Sequence, residues 1–211
     1  MAGAIAPGMG IRTRGISYRT ATIGFRVRNP WDSNDRGFIT VGHVFGRGSD
    51  VLSRQIFTGR FLGVTEISHV HRSPQSGGGP FDFAFVNTTR GEGFTTSNTL
   101  PNGQTLLTST VNPVRNTRVS MAGATTGGVQ TGIVYYVGGF MPTPCGNYQV
   151  NGVTLVENVL SLGGDSGGIV FTTDGRQTAG IVIGGGRYGS QVLMAFLPAR
   201  TILNVIDHER Y

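Results

Sequence analysis

A serine within a run of glycines is the first feature of the sequence that could do chemistry. Residues 163–168 read Gly-Gly-Asp-Ser-Gly-Gly. Because glycine adopts backbone conformations that other residues avoid, such a segment can turn sharply and present its amide N–H groups. Amide N–H groups aimed at one point stabilise the oxyanion that forms when a serine attacks a carbonyl. We therefore predict Ser166 as a nucleophile, with the N–H groups of Gly164 and Ser166 as its oxyanion hole.

Two upstream segments supply the other groups that a serine nucleophile needs. Residues 37–43 form an apolar run that ends at His43, and Asp82 precedes the apolar run Phe-Ala-Phe-Val. A histidine takes the hydroxyl proton and passes it to the leaving amine, and an aspartate holds the imidazole in the required tautomer. Each residue alone has a structural explanation: a core histidine, a turn cap and a turn serine. The three in this order predict a triad of His43, Asp82 and Ser166.

The order His, Asp, Ser is that of the chymotrypsin fold, and the chain resembles the bacterial streptogrisin and α-lytic branch of the chymotrypsin-like (S1 family) serine endopeptidases. The likeness extends to residues 21–29, 38–43, 123–127, 131–135 and 180–186. It implies an all-β fold of two six-stranded antiparallel β-barrels with a short C-terminal helix. It also implies endopeptidase activity through an acyl-enzyme, with no cofactor and no metal ion.

Short apolar or alternating runs recur along the chain, as expected for about twelve short strands. We predict that residues 1–108 form an N-terminal β-barrel lobe that carries His43 and Asp82. Residues 109–211 are predicted to form a C-terminal lobe that carries Ser166 and the substrate pocket, because a two-barrel protease assembles its site between the barrels.

Short sequence patterns predict one helix and one loop. A helix should begin at Pro198 and run to Asp207, since proline favours a helix start. Its apolar stripe is predicted to consist of Ile202, Leu203, Val205 and Ile206. Residues 73–80, which read Ser-Pro-Gln-Ser-Gly-Gly-Gly-Pro, should form a flexible loop just before Asp82.

Charge and hydrophobicity narrow the possible partners. The net charge is +6 and all 17 basic residues are arginines, but they are scattered from Arg12 to Arg210. We interpret this as a solvated basic surface, without a nucleic-acid partner. No apolar run reaches the length of about 20 residues that a membrane span needs, so no membrane partner is expected. The expected partner is a protein or peptide substrate, and the expected state is a monomer.

Cysteine usage bears on the compartment. Cys145 is the single cysteine, so no disulfide can form within the chain. Secreted members of the resembled branch usually carry disulfides, and this chain has Val44 and Leu160 at two of those positions. The resemblance implies an extracellular protein, whereas the lack of a cysteine pair and of a signal peptide in residues 1–10 leaves an intracellular location open. Cys145 is predicted to lie in a turn.

The substrate pocket is predicted from the resemblance. Residues 184–186 are glycines, so a substrate could pair with this bare edge as an antiparallel strand. No acidic residue occurs in the expected lining, and Val182 stands where glutamate-specific relatives place a histidine. We therefore expect Phe, Tyr, Leu or Met before the cleaved bond. The predicted substrate-binding residues are Leu160, Ser161, Leu162, Val182, Ile183, Gly184 and Gly185, with Ser190 as a further candidate.

Two departures from the resembled pattern keep alternatives open. Ile183 stands where a serine usually bonds the catalytic aspartate, and Met121 stands where an arginine usually pairs with the aspartate before the nucleophile. We expect Arg118 to replace that arginine, with Arg115 or a free N-terminus as other candidates. The alternatives are an inactive homologue that binds peptides, a processing protease with one protein substrate, and, from charge alone, a nucleic-acid-binding β-barrel.

Overall fold

A computed structural model describes residues 4–54, 59–69, 81–91, 94–142 and 149–211. The loop predicted over residues 73–80 and the turn predicted around Cys145 lie outside the described residues. The strands before residue 100 are β1 (Ala4–Ile5), β2 (Gly10–Thr13), β3 (Thr20–Thr22), β4 (Arg26–Asn29), β5 (Asp32–Thr40), β6 (Asp50–Ser53), β7 (Phe61–His69), β8 (Phe83–Asn87) and β9 (Thr95–Thr96).

The second half of the chain forms a closed antiparallel barrel, followed by a helix and a short strand. The barrel strands are β10 (Arg118–Ala122), β11 (Val129–Pro142), β12 (Gln149–Glu157), β13 (Ile169–Thr172), β14 (Thr178–Tyr188) and β15 (Gln191–Pro198); the helix is α1 (Ala199–Ile206) and the final strand is β16 (Glu209–Arg210). The order of the strands around the barrel is β10-β11-β12-β15-β14-β13. The predicted all-β fold with two barrel-like lobes and a C-terminal helix is confirmed.

The N-terminal lobe is built on one large sheet. This sheet has eight strands in the order β16-β4-β5-β8-β7-β6-β2-β3, and β1 pairs with β9 in a separate parallel ribbon. At β3 the backbone N–H of Thr22 donates to the carbonyl of Ser166 (2.8 Å) in the second lobe. β3 then leads directly into β4, because the N–H of Gly24 donates to the Ile39 carbonyl (2.9 Å) on β5. One run of chain therefore joins the two sides of the sheet, which gives the lobe its barrel-like shape.

Alternation along the strands builds three layers of core. On β8, Ala84 and Val86 face the interior of the N-terminal lobe, whereas Phe83 and Phe85 face the second lobe. On β14, Val182 faces the barrel interior, while Ile181 and Ile183 join the cluster between the lobes. The cluster between the lobes therefore fixes how the two halves of the candidate site meet.

The C-terminal segment crosses back to the first lobe. The buried guanidinium of Arg210 on β16 donates to Asn98 Oδ1 (3.1 Å) and to the Leu107 carbonyl (3.1 Å). Burial, reinforced by the nearby charge of Arg26, lowers the pKa of Arg210 to about 9. This crossing ties residues near 100 to the end of the chain, and the predicted division between residues 108 and 109 stays a prediction.

The helix follows the prediction, with one exception. Pro198 precedes it in an extended conformation, and Asp207 ends it in the left-handed region (φ 54°). Ile202 and Ile206 are buried, but Val205 is 36% exposed. Val205 was wrongly placed on the apolar stripe, because at 3.6 residues per turn it lies about 100° from the centre of that stripe. Among the described residues, no helix is long and apolar enough to cross a membrane.

Candidate active site

His43 and Asp82 are brought together by the pairing of adjacent strands. In the antiparallel pair β5–β8, Thr40 lies opposite Ala84, so the residues after β5 and before β8 meet at the same end of the sheet. The backbone N–H of His43 donates to Asp82 Oδ1 (2.8 Å), and His43 Nδ1 lies 2.7 Å from Asp82 Oδ2. Only 1% of the Asp82 side chain is exposed, against 11% of the His43 side chain.

This pair has the geometry of an oriented base. With a proton on Nδ1, the imidazole donates to the Asp82 carboxylate and keeps a lone pair on Nε2. A buried carboxylate also stabilises the imidazolium that forms when Nε2 takes a proton. Within the described part of the chain, no three His, Cys, Asp or Glu side chains are arranged to hold a metal ion.

The serine segment lies against the strand that leads to His43. A Cβ atom on Gly167 (φ 88°) would lie 2.3 Å from Thr40 Oγ1 and 2.4 Å from the Thr22 carbonyl oxygen. Only glycine allows this close approach. Ser166 is half-buried, and in the described residues no hydrogen bond joins its hydroxyl to His43. The structure thus brings the serine backbone to the end of β5 without a direct bond between nucleophile and base.

Three backbone N–H groups of the segment, those of Gly163, Gly164 and Ser166, have no acceptor among the described residues. Gly164 has φ 99°. The other N–H groups between residues 165 and 168 are used: Asp165 donates to Leu162 O (3.0 Å), Gly167 to Val182 O (2.6 Å) and Gly168 to Asp165 O (2.8 Å). The two groups predicted to form an oxyanion hole are therefore among those that remain available to a ligand.

Asp165 is held by backbone amides. Its side chain is fully buried; Oδ1 accepts the N–H groups of Thr125 (2.8 Å) and Thr126 (3.0 Å), and Oδ2 accepts that of Leu162 (2.8 Å). A Cβ atom on Gly123 would lie 2.4 Å from Oδ1. Three amide donors can satisfy a buried carboxylate in place of a cation.

The expectation that Arg118 pairs with Asp165 is corrected by this arrangement. Arg118 is exposed and forms no ion pair with Asp165 in the described part of the chain. Met121 is fully buried inside the barrel, so an apolar side chain fills the position expected for an arginine. The sequence did not reveal the true partners, because any residue type at 125 and 126 supplies a backbone N–H.

Ile183 has no polar group that could orient Asp82, so the carboxylate is oriented by its bonds to His43. The Ile183 side chain is 2% exposed and packs in the cluster that contains Phe83 and Ile181. It brings no hydroxyl to the carboxylate. Both oxygens of Asp82 are nevertheless engaged, one by the backbone and one by the ring of His43.

The residues predicted to bind substrate differ in burial. Ser161 and Gly185 face each other, since a Cβ atom on Gly185 would lie 2.5 Å from Ser161 Oγ. Val182 and Ile183 are buried beneath the surface. Of the remainder, Leu160 and Gly184 are half-buried, and Leu162 and Ser190 are exposed.

Met141 is a neighbour of this region that the sequence did not indicate. A Cβ atom on Gly184 would lie 2.3 Å from Met141 Cε, so the methionine packs over the bare strand. It also lines an apolar cavity of about 230 Å³ next to Gly185. The position of Met141 depends on the register shifts in the β11–β12 pair. No sequence pattern predicts these shifts. The cavity is lined by Phe140, Met141, Pro142, Leu155, Gly185, Tyr188, Leu193 and Ala195.

Comparison with known proteins gives a clear result at the level of the fold. No protein-family model matches the sequence, and no curated protein matches it. Among solved structures, Protease A of Thermobifida fusca superposes with a TM-score of 0.77 at 24% identity, over 98% of both chains. The Nocardiopsis protease gives 0.77 at 24% identity, over 99% of both chains. A glutamic-acid-specific serine protease gives 0.78 at 24% identity, over 98% of this chain and 100% of that one. The chain therefore has the fold of bacterial chymotrypsin-like serine proteases.

Proposed function

We propose that the protein is a serine endopeptidase that cleaves peptide bonds through His43, Asp82 and Ser166. The observation that carries the proposal is the buried hydrogen-bonded pair of His43 and Asp82, joined through the His43 ring (2.7 Å) and the His43 backbone N–H (2.8 Å). The serine segment bound against the end of β5 supports the same reading, as does the fold shared with serine proteases. The substrate would be a protein or peptide.

The proposed reaction needs no group beyond the chain and water. Ser166 Oγ attacks the peptide carbonyl while His43 Nε2 takes its proton, and the imidazolium then protonates the leaving amine. Water hydrolyses the resulting acyl-enzyme with His43 as base. The free N–H groups of Gly164 and Ser166 would bind the oxyanion, and each such donor typically contributes about 3 to 4 kcal/mol.

The edge of β14 supports a backbone-paired substrate. Residues 184–188 pair with β15 on one side, and the pairing of β14 with β13 ends at Ile181. In the part of the chain that the structure describes, no strand occupies the other edge at residues 184–186. An extended peptide could therefore add there as an antiparallel strand.

The surroundings of that edge support an uncharged, apolar residue before the cleaved bond. Ser161 and Gly185, which are in contact, carry no charge, and the cavity beside Gly185 that Met141 helps to line is apolar. A charged side chain would lose its hydration there without gaining a partner. A peptide library should therefore give a profile led by Phe, Tyr, Leu or Met. A profile led by Arg, Lys or Glu would contradict this specificity.

Labelling with a fluorophosphonate probe tests the activity itself. Intact-mass analysis should show one adduct on the wild type and none on Ser166→Ala or His43→Ala, because the probe reacts with a serine that a histidine activates. Ser33→Ala, which removes an exposed serine hydroxyl, is the matched control and should label like the wild type. A folded wild-type protein that takes no adduct would contradict the proposal.

A second candidate function is peptide binding without turnover. Two observations favour it: no hydrogen bond joins Ser166 to His43 in the described residues, and Ile183 offers no hydroxyl to Asp82. Under this alternative an extended apolar peptide would bind to the β14 edge, while labelling and cleavage would both be absent. The monomeric state and the extracellular location stay predictions under either function.

A further inference from the structure

We infer that Thr22 is a positioning residue for the oxyanion hole, acting through one hydroxyl that joins the serine segment to the loop that holds Asp165. The inference rests on the proposed function, because a position for these N–H groups matters only if they bind an oxyanion. Thr22 lies at the end of β3 in the N-terminal lobe, whereas both segments that it holds belong to the second half of the chain.

Every polar group of Thr22 is engaged, although the residue is fully buried. Its hydroxyl donates to the Gly164 carbonyl (2.7 Å) and accepts the N–H of Ala124 (3.0 Å). Its backbone N–H donates to the Ser166 carbonyl (2.8 Å), and its carbonyl accepts the hydroxyl of Thr40 (2.8 Å). Two of these bonds reach Gly164 and Ser166, the residues whose free N–H groups are predicted to form the oxyanion hole.

The hold on Gly164 matters because glycine does not fix its own conformation. Gly164 has φ 99° and follows another glycine, so its backbone has little intrinsic preference. The bond from the Thr22 hydroxyl fixes the direction of the Gly164 carbonyl and so restrains the neighbouring peptide planes. Without that bond, the Gly164 N–H could turn away from the oxyanion position.

The same hydroxyl also supports the contacts of Asp165. Ala124, whose N–H it accepts, directly precedes Thr125 and Thr126, which donate to the buried carboxylate. The two segments touch closely, since a Cβ atom on Gly164 would lie 2.4 Å from Thr125 Oγ1. One hydroxyl from the first lobe thus restrains both sides of the Asp165 cradle.

Thr22→Val tests the inference, because valine keeps the shape and removes the hydroxyl. We expect kcat for a peptide amide to fall by about tenfold to a hundredfold, less than the loss of a whole oxyanion donor, with KM nearly unchanged. Affinity for a peptide boronate, whose oxygen occupies the oxyanion position, should fall by a similar factor. Thr22→Ser retains the hydroxyl and should restore both values.

Thr65→Val is the matched control. Thr65 is 1% exposed and its hydroxyl has no hydrogen-bond partner in the described residues, so this change also replaces a buried threonine but breaks no such bond. Its kcat and boronate affinity should match those of the wild type. Circular dichroism and thermal unfolding should be measured for each variant. If Thr22→Val does not fold, Thr22→Ala compared with Thr22→Ser again contrasts the absence and the presence of the hydroxyl.

The outcomes separate this inference from the proposed function. A wild type that cleaves peptide while Thr22→Val retains full kcat and boronate affinity would overturn the role of Thr22 alone. Equal losses in Thr22→Val and Thr22→Ser would also overturn it, since packing and not the hydroxyl would then be responsible. A wild type that neither labels nor cleaves would overturn the proposed function, and the positioning role with it.

Discussion

The two sides of the candidate site are held in different ways. The base side is built within one sheet, where His43 and Asp82 follow from the pairing of β5 with β8 and touch through two short contacts. The nucleophile side is built between lobes: Ser166 owes its position to backbone bonds with Thr22 and to the amides around Asp165. One side depends on strand register, and the other on how the two lobes dock.

This difference predicts how each side responds to mutation. Changes to the base side should affect chemistry and leave folding largely intact, because the sheet register survives them. Changes to the nucleophile side should affect folding and chemistry together, because its buried contacts join the lobes at Thr22 and hold the loops around Asp165 together.

The largest effect should come from Asp82→Asn. The amide nitrogen of asparagine would face His43 Nδ1 as a donor and favour a proton on Nε2, the wrong tautomer for a base. We expect kcat to fall by about ten-thousandfold with a small change in unfolding free energy. Steady-state kinetics on a peptide amide and urea unfolding check this. Asp174→Asn, at an exposed aspartate, is the control, and more than a tenth of wild-type turnover in Asp82→Asn would contradict the triad assignment.

Asp165→Asn should lower both the free energy of unfolding and the activity. One amide oxygen can still accept the N–H groups of Thr125 and Thr126, but the amide nitrogen would face the N–H of Leu162. A buried donor left unpaired costs about 1 to 3 kcal/mol of unfolding free energy. Urea unfolding should show this loss, and the rate of fluorophosphonate labelling should fall in parallel. Full stability in this variant would mean that the cradle of amides does not hold the segment.

The base side could be predicted from the sequence to a large extent. His43 ends an apolar run and Asp82 begins one, so residue types alone locate both at strand ends. The position of the serine segment could also be predicted, because glycines mark the turn around Ser166. Alternation predicted the all-β fold, and proline predicted the helix start.

The support of the nucleophile side could not be predicted, for a physical reason. The carboxylate of Asp165 accepts backbone N–H groups, which every residue except proline possesses. Residue types therefore do not indicate which residues bind it. In the sequence, Thr22 looks like any other threonine in a β-strand. Its hydroxyl gains two hydrogen-bond partners only when the two lobes dock.

The smallest effect should come from Arg118→Ala, which sharpens the contrast with Asp165→Asn. The Arg118 side chain is exposed. Its backbone carbonyl accepts the N–H of Thr173 (3.2 Å), a bond that alanine keeps. A surface change of this kind should alter the unfolding free energy by less than about 0.5 kcal/mol and leave turnover near the wild-type value. A large loss of labelling in Arg118→Ala, with Arg115→Ala unaffected, would show that a cation does support Asp165 during catalysis. Because the amide cradle already satisfies that carboxylate, we expect the two arginine variants to behave alike.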